Sequence, residues 1–229
     1  MRMILAESFS GYGSRLLNIF NSQFSMKKKY YLCSVKMDDV KICVFGASSG
    51  RVEQDYVDAA YQLGALMARR GWTCVDGAGA VGLMRAVADG VLDSGGHAIG
   101  VIPKFMVDNG WCYDRLAEVI ITPDMHQRKQ QMADMTDAVI AMPGGCGTLE
   151  ELLEAITWRQ LGLNQRPIVM LNTRGYYDPL VATLQHGIDE RFMKESHHAL
   201  WTVASTPLEA VEAIERELRQ CPAAVESKY

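Results

Sequence analysis

The residues best suited to chemistry lie in one run, Pro143-Gly144-Gly145-Cys146-Gly147-Thr148-Leu149-Glu150-Glu151. Three glycines in four positions leave backbone N–H groups bare, and Thr148 adds a hydroxyl close to the start of a helix. Such a cradle holds a phosphate without any lysine. Gly144, Gly145, Cys146, Gly147 and Thr148 are therefore the strongest anion-binding candidates in the chain. Glu150, Glu151 and Glu154 fall in the first turns of that helix. On one reading they complement the positive end of the helix dipole. On the other they face an uncharged part of the ligand beside the phosphate, such as ribose hydroxyls. Glu150 and Thr157, seven residues apart, share one face of the helix, and Leu149, Leu152, Leu153 and Ile156 supply the buried one.

Three further segments carry candidate groups. Met125-His126-Gln127-Arg128-Lys129 puts two adjacent cations at a helix start, where the dipole disfavours them. They call for an acidic partner, either a ligand or the three glutamates; a solvated Arg-Lys pair is the alternative. Gly46-Ala47-Ser48-Ser49-Gly50 and Asp76-Gly77-Ala78-Gly79-Ala80-Val81-Gly82 are small-residue turns in which Gly46, Ser48 and Gly79 can bring backbone close to an anion. The first turn is not G-x-G-x-x-G, and a plain tight turn fits each taken singly. Two at neighbouring strand ends are more persuasive.

The elements that must position these segments are legible in the apolar pattern. Residues 40–46 (VKICVFG), 72–77 (WTCVDG), 97–103 (HAIGVIP), 118–122 (EVIIT), 137–143 (DAVIAMP) and 166–171 (RPIVML) read as strands. Tyr56, Ala59, Ala60, Leu63, Leu66 and Met67 make a helical stripe that stops at Gly71, and Leu83, Met84, Val87, Val91 and Leu92 make a second. Further helices are expected at about 124–135, 148–161, 177–191 and 206–220. Strands apolar on both faces, alternating with helices, specify an α/β fold: a doubly wound, Rossmann-like parallel sheet with helices on both faces. In such sheets ligands bind outside the carboxyl ends of the strands, where all four segments fall.

Composition narrows the function classes. The 229 residues carry 23 Lys and Arg against 27 Asp and Glu, a net charge of −4, so there is no basic field for a nucleic-acid backbone. Apolar residues at 48% and charged residues at 22% describe a globular domain, and no apolar run is long enough to span a membrane. The six cysteines (33, 43, 74, 112, 146 and 221) show neither C-x-x-C nor zinc spacing and read as reduced thiols of a cytoplasmic protein. Residues 1–37 read as a disordered N-terminal extension, 38–222 as a single domain and 223–229 as a C-terminal tail.

Met-His-x-Arg-Lys at 125–129, Pro-Gly-Gly-x-Gly-Thr-x-x-Glu at 143–151 and Ala-Ile-Thr-Trp-x-Gln-Leu-Gly at 155–162 together resemble the LOG family. Its members are cytokinin riboside 5'-monophosphate phosphoribohydrolases, often labelled lysine decarboxylases. The likeness runs from about Val40 to Gln220 and includes the Gly-x-Ser-Ser-Gly turn at 46–50 and Gly82-Leu83-Met84. This sequence departs from the pattern at Gly77-Ala78-Gly79-Ala80, where relatives resemble Gly-Gly-Gly, at Arg85, where glycine is common, and in the loop 105–117. The resemblance implies a homodimer that hydrolyses the N-glycosidic bond of a cytokinin-type or adenine nucleoside 5'-monophosphate. The implied catalytic pair is Arg128 and Glu151, and the implied substrate-binding set is Gly46, Ser48, Gly79, Lys129, Gly144 to Thr148, Glu150 and Thr157. No cofactor and no metal is required by that chemistry. A decarboxylase would instead need pyridoxal phosphate on a lysine, and Lys129 is the only lysine in the motifs. A non-catalytic nucleotide sensor or carrier is the alternative, and single-stranded DNA binding finds too few aromatic and basic residues around Trp111, Tyr113 and Arg115.

Overall fold

The computed structural model describes residues 39–220; the expectations for residues 1–37 and 223–229 lie outside them. Seven strands form one sheet: β1 (Lys41–Phe45), β2 (Thr73–Asp76), β3 (His97–Pro103), β4 (Glu118–Thr122), β5 (Ala138–Ala141), β6 (Ile168–Leu171) and β7 (Thr202–Ala204). Their order is β4-β3-β2-β1-β5-β6-β7, and every neighbouring pair is parallel. The helices are α1 (Gln54–Arg69), α2 (Gly82–Asp93), α3 (Lys104–Asp108), α4 (Met125–Met135), α5 (Cys146–Gln160), α6 (Asp178–Asp189) and α7 (Pro207–Arg219).

The period-two alternation of each strand divides the core in two. Ile42, Val44, Cys74, Ala98, Ile140 and Val169 face α1, α2 and α7. Their neighbours Cys43, Phe45, Val75, Ile99, Val139 and Ile168 face α4, α5 and α6. Buried on both sides, the strands read as continuous apolar runs, as a covered parallel sheet requires.

Helix ends follow their local chemistry. The chain turns out of α1 at Gly71, whose N–H donates to Ala68 O at 3.0 Å. Asp124 caps α4 by accepting from Gln127 N at 2.8 Å, and Thr206 caps α7 with Pro207 in its first turn.

Three expectations need correction. β7 is a seventh strand that the pattern hides, because its three residues include an exposed Val203 and form no apolar run. The short α3 was also not expected. Helix α5 begins at Cys146, two residues before the expected start at 148. The Gly-Cys-Gly composition suggests loop, yet first-turn N–H groups need no intrahelical acceptor and glycine costs little there.

Candidate active site

The sheet changes winding direction between β1 and β5, since the chain runs outward from β1 to β4 and returns on the other side of β1. That switch point leaves a crevice at the carboxyl ends of the two strands. The loops after them touch there: Ala47 N donates to Pro143 O at 3.1 Å. Gly46 is buried beneath this contact and Ser48 stands exposed beyond it. The turn after β2 docks on the same place, with Leu83 N donating to Ala47 O at 2.8 Å. Gly79, half-buried in that turn, pairs antiparallel with Cys112, and Tyr113 N donates to Ala78 O at 2.9 Å. The loop 109–113 therefore lies against the second glycine turn.

Gly145, Cys146 and Gly147 are exposed at the start of α5, so their backbone faces solvent at the positive end of a fifteen-residue helix. Thr148 is buried and folds back over Gly144, so tightly that a Cβ on Gly144 would overlap Thr148 Oγ1 and come within 2.6 Å of Thr148 Cβ. Two tyrosines that sequence reasoning passed over hold this loop from behind. Tyr176 donates its hydroxyl to Gly144 O, and Tyr177 donates to Met142 O at 2.7 Å. Both follow β6, whose carboxyl end lies beside that of β5, and only the pairing of those strands brings them here.

Arg128 enters from the first turn of α4 and is buried. Its Nε donates to Val101 O at 3.0 Å, and its Nη1 donates to Glu151 Oε1 at 2.7 Å. The two side chains are 8% and 10% exposed, so the pair is shielded from water. Nη2 lies against Gly77, where any Cβ would overlap it. Burial pushes the Glu151 carboxyl above its ordinary range, and the charge and hydrogen bond of Arg128 only partly offset that.

Lys129 turns the other way and donates to Glu150 and to the Glu154 carboxylate, the latter at 3.1 Å. The glutamates are thus the acidic partners that the two cations called for. Burial pulls the Lys129 ammonium down, but hydrogen bonds and charge from Glu150 and Glu154 outweigh it and hold it above an ordinary lysine. Thr157 is exposed and donates back to Leu153 O at 2.8 Å within its own helix. It shares the outward face with Glu150, as expected. Leu153 does not supply the buried face: it is 39% exposed, because Leu152 and Ile156, with Leu149 partly buried beside them, already complete the inward stripe.

Asp76, named in the sequence only as part of a turn, is the least expected feature. It closes β2, is 1% exposed, and accepts from Ala78 N at 2.8 Å through Oδ1, while Oδ2 is buried without a partner among the described residues. Burial raises its pKa to about 7, against the opposing pull of the Ala78 N–H and of Arg128. An acidic residue closing an otherwise apolar strand was the signal available in the sequence. Among the described residues, no group of three or more His, Cys, Asp or Glu is arranged to hold a metal ion.

Residues 84–214 match the family described as "Possible lysine decarboxylase". A probable cytokinin riboside 5'-monophosphate phosphoribohydrolase of Oryza sativa subsp. japonica is 43% identical over 175 residues, covering 76% of this chain and 72% of its own length. A cytokinin riboside 5'-monophosphate phosphoribohydrolase of Arabidopsis thaliana is 42% identical over 188 residues, covering 82% of this chain and 87% of its own. Among solved structures, the molybdenum cofactor carrier protein of Chlamydomonas reinhardtii aligns with a TM-score of 0.62 and 23% identity over 80% of this chain and 99% of that one. That likeness bears on the fold alone. With the sequence relatives matched over most of their length, this chain belongs to the LOG family, that of the cytokinin riboside 5'-monophosphate phosphoribohydrolases.

Proposed function

We propose that the chain hydrolyses the N-glycosidic bond of adenine or cytokinin-type nucleoside 5'-monophosphates. The C1'–N9 bond breaks, water supplies a hydroxyl to C1' and a proton to the base, and free base and ribose 5-phosphate leave. The observation that carries this reading is the buried Arg128–Glu151 pair standing beside the exposed N-terminus of α5.

Each part has a task in that chemistry. The N–H groups of Gly145 to Gly147 receive the 5'-phosphate. As the bond to the base lengthens, positive charge builds on the ribose ring, and the Glu151 carboxylate stabilises it, holds the hydroxyls and orients the attacking water. A carboxylate in a dry site does this more strongly than one in water. Arg128 keeps Glu151 ionised and aimed. Gly46, Ser48 and Gly79 line the approach to the phosphate, and Glu150, Lys129 and Thr157 form its outer wall.

The active protein is a homodimer. A small cavity beside Glu151 is lined by Lys129, Ala133, Glu154 and Trp158. Leu153, Leu161 and Leu163 are 39%, 37% and 59% exposed on and just after α5, and they offer the apolar contact. Residues 38–222 act as one domain. The free thiols of Cys43, Cys74, Cys112 and Cys146 fit a cytoplasmic location.

The test is release of base from AMP, isopentenyladenosine monophosphate, GMP and CMP, with the nucleosides and lysine as controls. Base and ribose 5-phosphate are expected from purine monophosphates only, and Glu151→Ala abolishes their release. A monophosphate that binds without turnover would overturn the hydrolase reading in favour of a nucleotide carrier or sensor.

A further inference from the structure

The turn after β6 is built with more constraint than a connection needs. Arg174 sits at φ +56° and Gly175 at φ +71°, so the chain takes two left-handed steps in succession, the first at a residue whose Cβ disfavours it. Asn172 brackets the turn: its Oδ1 accepts from Tyr177 N at 2.6 Å, and its Nδ2 donates to Asp178 Oδ1 at 2.7 Å. Arg174 is tied to the first turn of α1, donating to Asp55 Oδ2 at 2.8 Å with its guanidinium 5.8 Å from the centre of the Tyr56 ring. The Tyr176 ring packs edge-to-face with both Tyr56 and Tyr177, at centroid separations of 6.2 and 5.1 Å. Strain held this firmly beside a binding loop points to a geometric task. What the turn delivers to that loop is one hydrogen bond, from the Tyr176 hydroxyl to Gly144 O.

The peptide joining Gly144 to Gly145 has no Cβ on either side, so it is the easiest in the loop to rotate. In a trans peptide the C=O and N–H point opposite ways, and no peptide bond among the described residues is cis. Holding Gly144 O towards Tyr176 therefore turns Gly145 N–H away from it, to the exposed side where Cys146 and Gly147 open α5. A flipped peptide would aim the carbonyl dipole at the ligand and repel an anion. We propose that Tyr176 is a positioning residue for the 5'-phosphate: its hydroxyl fixes the Gly144–Gly145 peptide so that Gly145 N–H joins those of Cys146 and Gly147 in binding it. Tyr177 has a different task. It is fully buried and holds Met142 O, in a peptide whose nitrogen belongs to Pro143 and has no hydrogen to aim, so it serves the core. Tyr176 is 37% exposed, and water can satisfy Gly144 O when its hydroxyl is removed. The fold then survives, and what is lost is the direction of the Gly145 N–H.

The inference rests on the phosphoribohydrolase reading for its substrate, but its test needs no turnover. Wild type, Tyr176→Phe and Tyr177→Phe, each isotope-labelled at glycine nitrogen, are titrated by NMR with inorganic phosphate and with ribose 5-phosphate, and all three are unfolded in urea. In wild type the Gly145 amide signal should move as either ligand binds. In Tyr176→Phe the affinity for both should fall about tenfold, the loss of one hydrogen bond to a charged group, while the urea midpoint stays close to wild type. Tyr177→Phe should instead lower the urea midpoint and keep its phosphate affinity. KM for AMP should rise about tenfold in Tyr176→Phe with kcat little changed, and adenosine, which has no phosphate, should bind as it does to wild type. A Gly145 amide that ignores phosphate in wild type overturns the proposal, as does Tyr176→Phe binding phosphate normally. Equal weakening of AMP and adenosine, or equal loss of phosphate affinity in the two tyrosine variants, marks a merely structural residue and also overturns it. Phosphate binding that depends on Tyr176 without turnover of any monophosphate sinks the hydrolase reading alone and leaves Tyr176 in its role.

Discussion

Arg128 Nη1 and Glu151 Oε1 are 2.7 Å apart, joining the first turn of α4 to the first turns of α5 across 23 residues of sequence. The contact turns two helix starts into one site. Each helix alone would place its ionic group badly: a cation at the positive end of α4 repels the dipole, and a buried carboxylate on α5 lacks water. Paired, each relieves the other, and Val101 O takes a further guanidinium donor at 3.0 Å. A carboxylate is thereby held, nearly dry, beside the N–H groups that open α5.

Glu151→Gln keeps the shape of the pair and removes its charge. Its kcat for a purine monophosphate is expected to drop by about 10²- to 10³-fold with KM little changed, because the lost interaction is one made to a charge that develops only in the transition state. Glu151→Ala should also destabilise the protein by about 3 kcal/mol, since it strands a buried guanidinium. Steady-state kinetics and urea unfolding read the two effects separately. Equal kcat in Glu151→Gln and wild type would remove Glu151 from the mechanism.

The phosphate loop offers a contrast between adjacent glycines. A Cβ on Gly144 would collide with Thr148, whereas one on Gly145 meets nothing within 4 Å. Gly144→Ala should therefore displace the loop and raise KM for monophosphates about tenfold or more, with Gly145→Ala close to wild type. Kinetics on both variants, with circular dichroism to confirm folding, check this. The same KM change in both would mean that the backbone geometry of this loop is not what binds the phosphate.

How much of this was legible in the sequence depends on how local each feature is. Six of the seven strands and the helical stripes were readable because covered strands and amphipathic helices write their burial into apolar spacing. β7 escaped because three residues, one of them the exposed Val203, write no such pattern. The glycine loop and its glutamates were visible as candidates, but the residues alone left the glutamates divided between the helix dipole and the ligand. The structure supplies the use that the Arg128-Lys129 pair had suggested, since Glu150 and Glu154 hold Lys129 and Glu151 holds Arg128. Tyr176 and Tyr177 had no local signal, because their role exists only once β5 and β6 pair. Asp76 was named but unassigned: that its Oδ2 is buried without a partner among the described residues is a property of the packed core around it.

Lys129 cannot serve as a Schiff-base lysine while Glu150 and Glu154 hold its ammonium charged, because imine formation needs the free amine. Incubation with pyridoxal phosphate followed by borohydride should leave the peptide carrying Lys129 unmodified by mass spectrometry. Lysine should yield no carbon dioxide. Labelling of Lys129 together with lysine turnover would reinstate a decarboxylase.

Asp76 also predicts a stability profile. Its ordinary pKa of 3.8 applies to the unfolded chain, and the folded value is about 7. Between those values the native state binds the extra proton, so the contribution is fully present below pH 3.8 and is lost as pH rises through 7. At about 1.4 kcal/mol per pH unit the loss reaches at most about 4 kcal/mol. Asp76→Asn has nothing to ionise there, so its stability relative to wild type should climb by about 2–4 kcal/mol between pH 4 and 8 and then level off. Urea unfolding of both proteins across that range isolates the group, because every carboxyl common to the two cancels in the difference. A difference that does not change with pH would mean that Asp76 is already ionised in the folded protein at pH 4, with Arg128 or water stabilising it more than burial penalises it.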